Sequence, residues 1–463
     1  MSQTRRSVAS RKAVARGARM LGGSIAAVLI VIGVVAVGQL PLPEVHTTAA
    51  ERDITPPAGT ATLVCAGPFR ALAQDGAAGL QWQAAGVPER LTSSAGGTVS
   101  PLALATPELS GGQSVPGYIA TPTSSGPLLL SAAQSLTLAG DDLGGFAASA
   151  CRPPSLQSWL VGGTGEVGSF DVLTLANPGD VPATVTLTTY AGGQPTVDTV
   201  VVPARSQWAT PLAASAVGQS APVVHVQADG APVRAALQSS LVRTLDPGGI
   251  EWQDDAGTPQ TVQVLAGVQL VESAADVAPL RVRVMATGAA TDAEFIVRGA
   301  GAEAVAAETV HLEAGVPTEV AFPTLSPGVY WIEVRAQEPV VAAAWQSTGT
   351  HAGSDFAWMT PTRELTDTVL FSVPTAPQAQ LQLVNAGASE VAVTVTDLRD
   401  NSAREVTLAA GTSQLLPVSG GANYRVDTDG ALRAALALGG ADALAGWPLW
   451  PEAGLPVPLT IFG

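Results

Sequence analysis

Leu173-Thr-Leu-Ala-Asn177-Pro-Gly179, followed by Ala183-Thr-Val-Thr-Leu187, recurs 208 residues later as Leu381-Gln-Leu-Val-Asn385-Ala-Gly387 and Val391-Ala-Val-Thr-Val395. In both copies apolar and polar residues alternate with the period of two that a half-buried strand requires. The Asn-Pro-Gly between the runs is turn chemistry, because proline fixes φ and glycine accepts a positive φ. Two strands joined by a tight turn and written twice make the chain a tandem array of β units.

A looser copy lies midway, at Val282–Gly288 and Phe295-Ile-Val297. Val202-Pro-Ala-Arg-Ser206, Leu312-Glu-Ala-Gly315 and Leu408-Ala-Ala-Gly411 hold matching places, as do Arg234–Ser239, Ala342–Ser347 and Arg433–Leu436. The opening strands around Leu160, Leu265 and Leu370 are spaced by 105, and Leu63-Val64-Cys65 opens a more diverged copy 97 residues upstream. Four units follow: 58–157, 158–259, 260–364 and 365–463. Turn signals every 8–12 residues give about seven strands per unit, the pattern of an immunoglobulin-like β-sandwich. A β-propeller is the alternative, although its blades need only about 40–50 residues each. The tail Leu459-Thr-Ile-Phe462 resembles the opening strand Val369-Leu-Phe371. That likeness predicts that each unit is completed by the strand beginning the next, with the tail completing the last and the junctions short.

The chain has 463 residues and a net charge of −16, but six cations (Arg5, Arg6, Arg11, Lys12, Arg16, Arg19) precede the first carboxylate. The rest carries 16 cations against 38 acids, a net of −22, which repels phosphate backbones and argues against a nucleic-acid partner. Residues 20–40 carry no charge, a length that spans a bilayer core of about 30 Å as a helix. With the cations on its N-terminal side, the positive-inside rule predicts a cytoplasmic tail at 1–19, a single-pass transmembrane helix at 20–40, a linker at 41–57 and an extracytoplasmic body. The alternative is secretion after cleavage near Gly38, at the small-x-small triplet Ala36-Val37-Gly38. In either case the two cysteines, Cys65 and Cys151, face an oxidising exterior and are expected to form one disulfide. The expected architecture is therefore all-β: an N-terminal transmembrane helix followed by four tandem immunoglobulin-like sandwiches.

Leu63-Val-Cys-Ala-Gly-Pro68 and the signature Trp159-Leu-Val-Gly-Gly163, Leu173–Gly179 and Val202–Ser206 resemble a family of envelope proteins of high-GC Gram-positive bacteria, known as domain of unknown function 5719. The resemblance spans the exported body, is strongest in the second unit, and fails at Ala286, where the turn asparagine would stand. Similar repeats occur in bacterial surface proteins that resemble stacked β-sandwiches. The resemblance implies architecture and location, and it brings no catalytic residues to carry over.

Motifs with chemical meaning are few. Gly163-Thr-Gly165-Glu-Val-Gly168 is a formal dinucleotide fingerprint, but the next residues read as a strand instead of the helix that the pyrophosphate requires. It reads as a glycine-rich turn. The four histidines (His46, His225, His311, His351) fall in different units, and neither H-E-x-x-H nor G-x-S-x-G occurs. The acidic pairs Asp141-Asp142, Asp254-Asp255 and Asp427/Asp429 lack calcium-loop spacing. No catalytic, cofactor or metal residue is assigned. Phe146, Trp252, Trp358 and Trp447 follow the late Ala-rich strand of each unit and read as packing plugs. Trp447 and Trp450, in Trp447-Pro-Leu-Trp450-Pro, are the candidate ligand-facing aromatics, since these prolines forbid a central strand. The expected function is a non-enzymatic, membrane-anchored structural or interaction protein of the cell envelope, with the membrane held through residues 20–40 and an envelope protein or glycan as partner. The alternatives are a cell-wall glycan binder and an enzyme with an unrecognised carboxylate site.

Overall fold

The repeated asparagine is a buried knot. Asn177 is fully buried and its Nδ2 donates to the carbonyls of Val181 and Val202, while Gly179 N donates to its Oδ1. Asn385 does the same with Ser389, Leu408 and Gly387. One amide thus ties the end of a strand, the turn after it and a third backbone segment together. This is the physical content of the signature. In the middle copy Ala286 has no such side chain, and backbone serves instead: Gly315 N donates to Ala286 O at 2.8 Å.

A computed structural model describes residues 59–72, 82–123, 126–271, 280–440 and 442–451, the backbone of 51–54 and 459–462, and nine helical residues between 25 and 35. It divides into two units, 56–457 on one hand and 1–55 with 458–463 on the other. The larger unit is nearly all β, and its strands fall into four successive groups. In the second, the strands are Gln157–Val161, Ser169–Asn177, Ala183–Tyr190, Thr196–Val202, Ser206–Pro211, Val223–Asp229, Arg234–Arg243 and Asp246–Gln253. One sheet runs in the order first-sixth-third-fourth, and the other runs eighth-seventh-second-fifth. Leu160, Val185 and Val226 from one sheet meet Leu173, Leu175 and Leu237 from the other in a shared core, which makes the group a sandwich. The fourth group, from Val369–Val373 to Ala443–Pro448, repeats this order in full. In the third, Gly328–Ser347 serves as sixth and seventh strand at once. Its first half pairs with Gln260–Leu270 and Thr291–Arg298, and its second half pairs with Leu280–Ala286 and Phe356–Met359.

The first group is the most altered. It keeps Ala61–Val64 beside Ser114–Pro122 and Gly97–Ala105, and Leu129–Ala139 between Glu89–Ala95 and Gly144–Ala150. The Cys65–Cys151 disulfide joins its start to its end, beside a two-way backbone bridge between Val64 and Arg152.

The groups are not beads on a string. Their closing strands, Gly144–Ala150, Asp246–Gln253, Phe356–Met359 and Ala443–Pro448, pack in cyclic order, the last against the first. Each junction has its own apolar core. Phe69 and Leu136 meet Ile250 and Trp252 at the first, and Trp159 and Val161 meet Met285 and Trp358 at the second. Val268 and Met359 meet Val384 and Ala435 at the third, and Phe371 and Trp447 meet Phe146 and Ala148 at the fourth. The ring therefore closes around an axis as a propeller does, with two-sheet sandwiches in place of single-sheet blades.

The tail corrects the expectation of shared strands. Each opening strand pairs inside its own group; Val369–Val373, for example, pairs with Ala422–Thr428. The fourth group is complete without help, and Leu459–Phe462 pairs antiparallel with Glu51–Ile54 in the smaller unit. Among the described residues no helix is long and apolar enough to cross a membrane. The expected tail 1–19, the cleavage site near Gly38 and most of the span 20–40 and linker 41–57 lie outside the described residues.

Candidate functional site

Charged groups are concentrated at the ring's axis. Asp355 stands just before the closing strand of the third group and is fully buried. Its carboxyl accepts backbone N–H groups from Phe146 at 3.0 Å, Ile250 at 3.2 Å and Leu444 at 3.1 Å, one from each of the other three groups. Burial raises this carboxyl to about 7, against the pull of those N–H donors. Nearby, Asp254 bridges Arg152 at 2.9 Å and Arg234 at 2.7 Å, and Arg152 also donates to Pro448 O. Asp255 accepts from Trp159 N and Gly257 N. Glu251 is fully buried, and burial pushes its carboxyl well above the usual range, with the charge of Asp355 adding to the effect. Asp355, Asp254, Arg152 and Arg234 join strands from different groups and act as staples, whereas Asp255 bonds within the second group.

A groove of about 350 Å³ opens between the second and third groups. The glycine-rich loop at 163–168 forms one lip, Trp345 and Phe356 line the opposite wall, and Arg283 crosses beneath. Arg283 is itself fully engaged. It bonds Glu319 through Nε and Nη2, Gly163 O and Pro222 O through Nη1, and Ser220 O through Nη2, and it lies 4.8 Å from the Trp358 ring centre. Asp171 and Ser239 stand opposite each other in the strand register on the groove wall. Asp171 Oδ2 accepts from Thr164 N at 3.0 Å and Ser169 Oγ at 2.6 Å. Asp171 Oδ1 and Ser239 Oγ have no partner beyond each other, although both residues are buried. Burial pushes the Asp171 carboxyl up.

The residues singled out in the sequence are placed as follows. Trp447 is 3% exposed in the junction between the fourth and first groups, so its ring offers no face to a ligand. The Trp450 ring is flanked by Arg152 at 4.3 Å and Arg363 at 3.6 Å, which also removes it as an open platform. Phe146, Trp252 and Trp358 are buried at junctions. The glycine-rich motif leads into the strand Ser169–Asn177, and no helix begins there. His225 stacks on Trp159 at 4.0 Å, His311 pairs with Asp292 on the surface, and His351 contacts Asp442; His46 lies outside the described residues. Asp254 is the staple above, Asp255 bonds Trp159 N and Gly257 N within its own group, Asp427 and Asp429 bond Thr368 and Ala392 N, and no group of three or more metal-type ligands occurs among the described residues. Sequence reasoning missed Asp355, Asp171 and Arg283. Only Trp345, inside a repeated Ala-rich strand, carried a signal, as the one aromatic in that series.

No curated protein matches the chain. Among solved structures, the chicken CNTN1 FN1-FN3 domains align at 9% identity over 67% of this chain and 99% of that one, with a TM-score of 0.12, too low to carry an argument. The model of a family of unknown function, DUF5719, matches residues 107–419, about two thirds of the sequence, and the chain belongs to that family.

Proposed function

We propose that this chain is a non-enzymatic interaction protein of a bacterial cell envelope, anchored by residues 20–40 with its N-terminus in the cytoplasm and its immunoglobulin-like sandwiches outside. The observation that carries this reading is the use of the buried charged groups. Asp355, Asp254, Arg152 and Arg234 are committed to holding strands of different groups together, which leaves a rigid ring with long outer surfaces. Rigid surfaces of this kind suit partner contact, because little ordering entropy is lost on binding. Three features support the anchor and its orientation. The segment 20–40 is uncharged, six cations precede it, and Ile25, Val28, Leu29, Ile30, Val31, Ile32 and Val35 are 55–67% exposed on helical backbone. The disulfide supports an oxidising exterior for the body.

The test is crosslinking in intact cells followed by identification of the attached partner. A discrete envelope protein recovered in constant proportion supports the reading; recovery of nothing but bulk lipid and abundant protein overturns it. Mass measurement of the mature chain separates the anchor from the secreted alternative, since cleavage near Gly38 removes the first residues.

A further inference from the structure

We propose that the groove between the second and third groups binds an uncharged saccharide, with Asp171 and Ser239 receiving its hydroxyls and Trp345 supplying a ring face. This rests on the extracytoplasmic reading for access to glycan, and it places the site away from Trp447 and Trp450. The volume of about 350 Å³ is at the lower end of small-molecule sites, the size of one or two sugar rings. Asp171 Oδ1 and Ser239 Oγ are buried, line the cavity and have no partner beyond each other. Bonded only to each other, these two oxygens keep unfilled acceptor lone pairs, which a ligand that brings O–H donors can fill. Trp345 is half-buried on the third group's wall; Arg281 lies over one side of its ring at 5.2 Å, which leaves a single face for the apolar C–H face of a sugar while hydroxyls bond at the edge.

The charge of the groove selects the class. Glu166, Asp171 and Glu319 balance Arg243, Arg281 and Arg283. The Arg283 fork, the natural clamp for phosphate, is already filled by Glu319 and three carbonyls. The atoms with spare hydrogen-bonding capacity are a carboxyl oxygen and a hydroxyl, and with the groove's charges balanced they suit the O–H donors of a neutral polyol better than an anion.

The experiment is isothermal titration of the full chain in a detergent without a sugar headgroup. The probes are glucose, galactose, mannose, arabinose and N-acetylglucosamine, their disaccharides, and inorganic phosphate in parallel. At least one sugar is expected to bind saturably, with phosphate silent. Ser239→Ala and Trp345→Ala are expected to weaken that sugar at least tenfold. Ser239→Ala removes one oxygen and keeps the packing, so it tests the site even where Trp345→Ala disturbs the fold, and an unchanged unfolding midpoint verifies this. Absence of saturable sugar binding, binding of phosphate alone, or sugar binding that survives Ser239→Ala at full strength overturns the proposal. None of these outcomes touches the crosslinking result, which tests the interaction reading separately.

Discussion

Asp355→Ala is the sharpest test of the ring. The carboxyl holds N–H groups of Phe146, Ile250 and Leu444, which belong to three different groups and are buried with it. Alanine leaves three donors without an acceptor, at about 1–3 kcal/mol each, so a loss of roughly 3–9 kcal/mol is expected. The pH dependence gives a second handle. Burial raises the carboxyl from 3.8 to about 7. A carboxyl raised on folding holds its proton more tightly in the native state. Its contribution is therefore fully present below about pH 4 and is lost as pH climbs toward 7. At 1.36 kcal/mol per unit, the gap between wild type and Asp355→Ala is expected to be about 2–3 kcal/mol wider at pH 5 than at pH 8. The assay is urea unfolding of the full chain in detergent, followed by tryptophan emission, comparing midpoints at both pH values. A loss under about 1 kcal/mol at pH 5, or a gap that widens with rising pH, refutes the assignment of Asp355 as the axial staple.

Three further outcomes are expected. Asn385→Ala removes bonds to Ser389 O, Leu408 O and Gly387 N, and should lower stability by about 1.5–4.5 kcal/mol in denaturant melts; a change within error would deny the knot its role. Glu251→Gln deletes a buried carboxyl that is raised well above its ordinary range, so stability should rise at pH 8 and change little at pH 5, a pattern thermal scans at the two pH values would read directly. Gly315 and Gly411 both have φ of 71° where the second copy has Arg205 at 53°. Gly411→Ala should therefore cost about 1–2 kcal/mol by calorimetry, and equal stability would show that this turn relaxes out of the left-handed region.

The all-β character of the chain was legible because its determinants are local and repeated. Asn177 reaches residues no more than 25 positions away, and Asn385 no more than 23, so the knot is copied wherever the unit is copied. The alternation in Ala183–Tyr190 reads straight onto its buried and open positions. The tail misled because its likeness to an opening strand is a likeness of β propensity, which says nothing of the partner; an edge strand pairs with whichever free edge is near. The groove was opaque for another reason. Asp171 and Trp345 lie 174 positions apart, in different copies, and neither belongs to a motif with fixed spacing.

The axis was hidden by the repeat itself. Four copies around one axis share a single central space, and one side chain fills it. Asp355 occupies that space from the third copy. The residues before the other three donors, Gly145, Gly249 and Ala443, are all small. A Cβ on Gly249 would lie 2.5 Å from Asp355 Oδ1, and one on Gly145 would lie 2.9 Å from it, so a side chain in either copy excludes the carboxyl. The symmetry of the fold thus requires asymmetry in sequence at its most constrained point, and self-comparison records that point as divergence. The same holds at the closure of the ring, where Arg152 reaches Pro448 O across 296 positions and Asn423 reaches Thr92 O across 331. In a tandem array the repeated positions build each unit, and the unrepeated ones decide how the units meet.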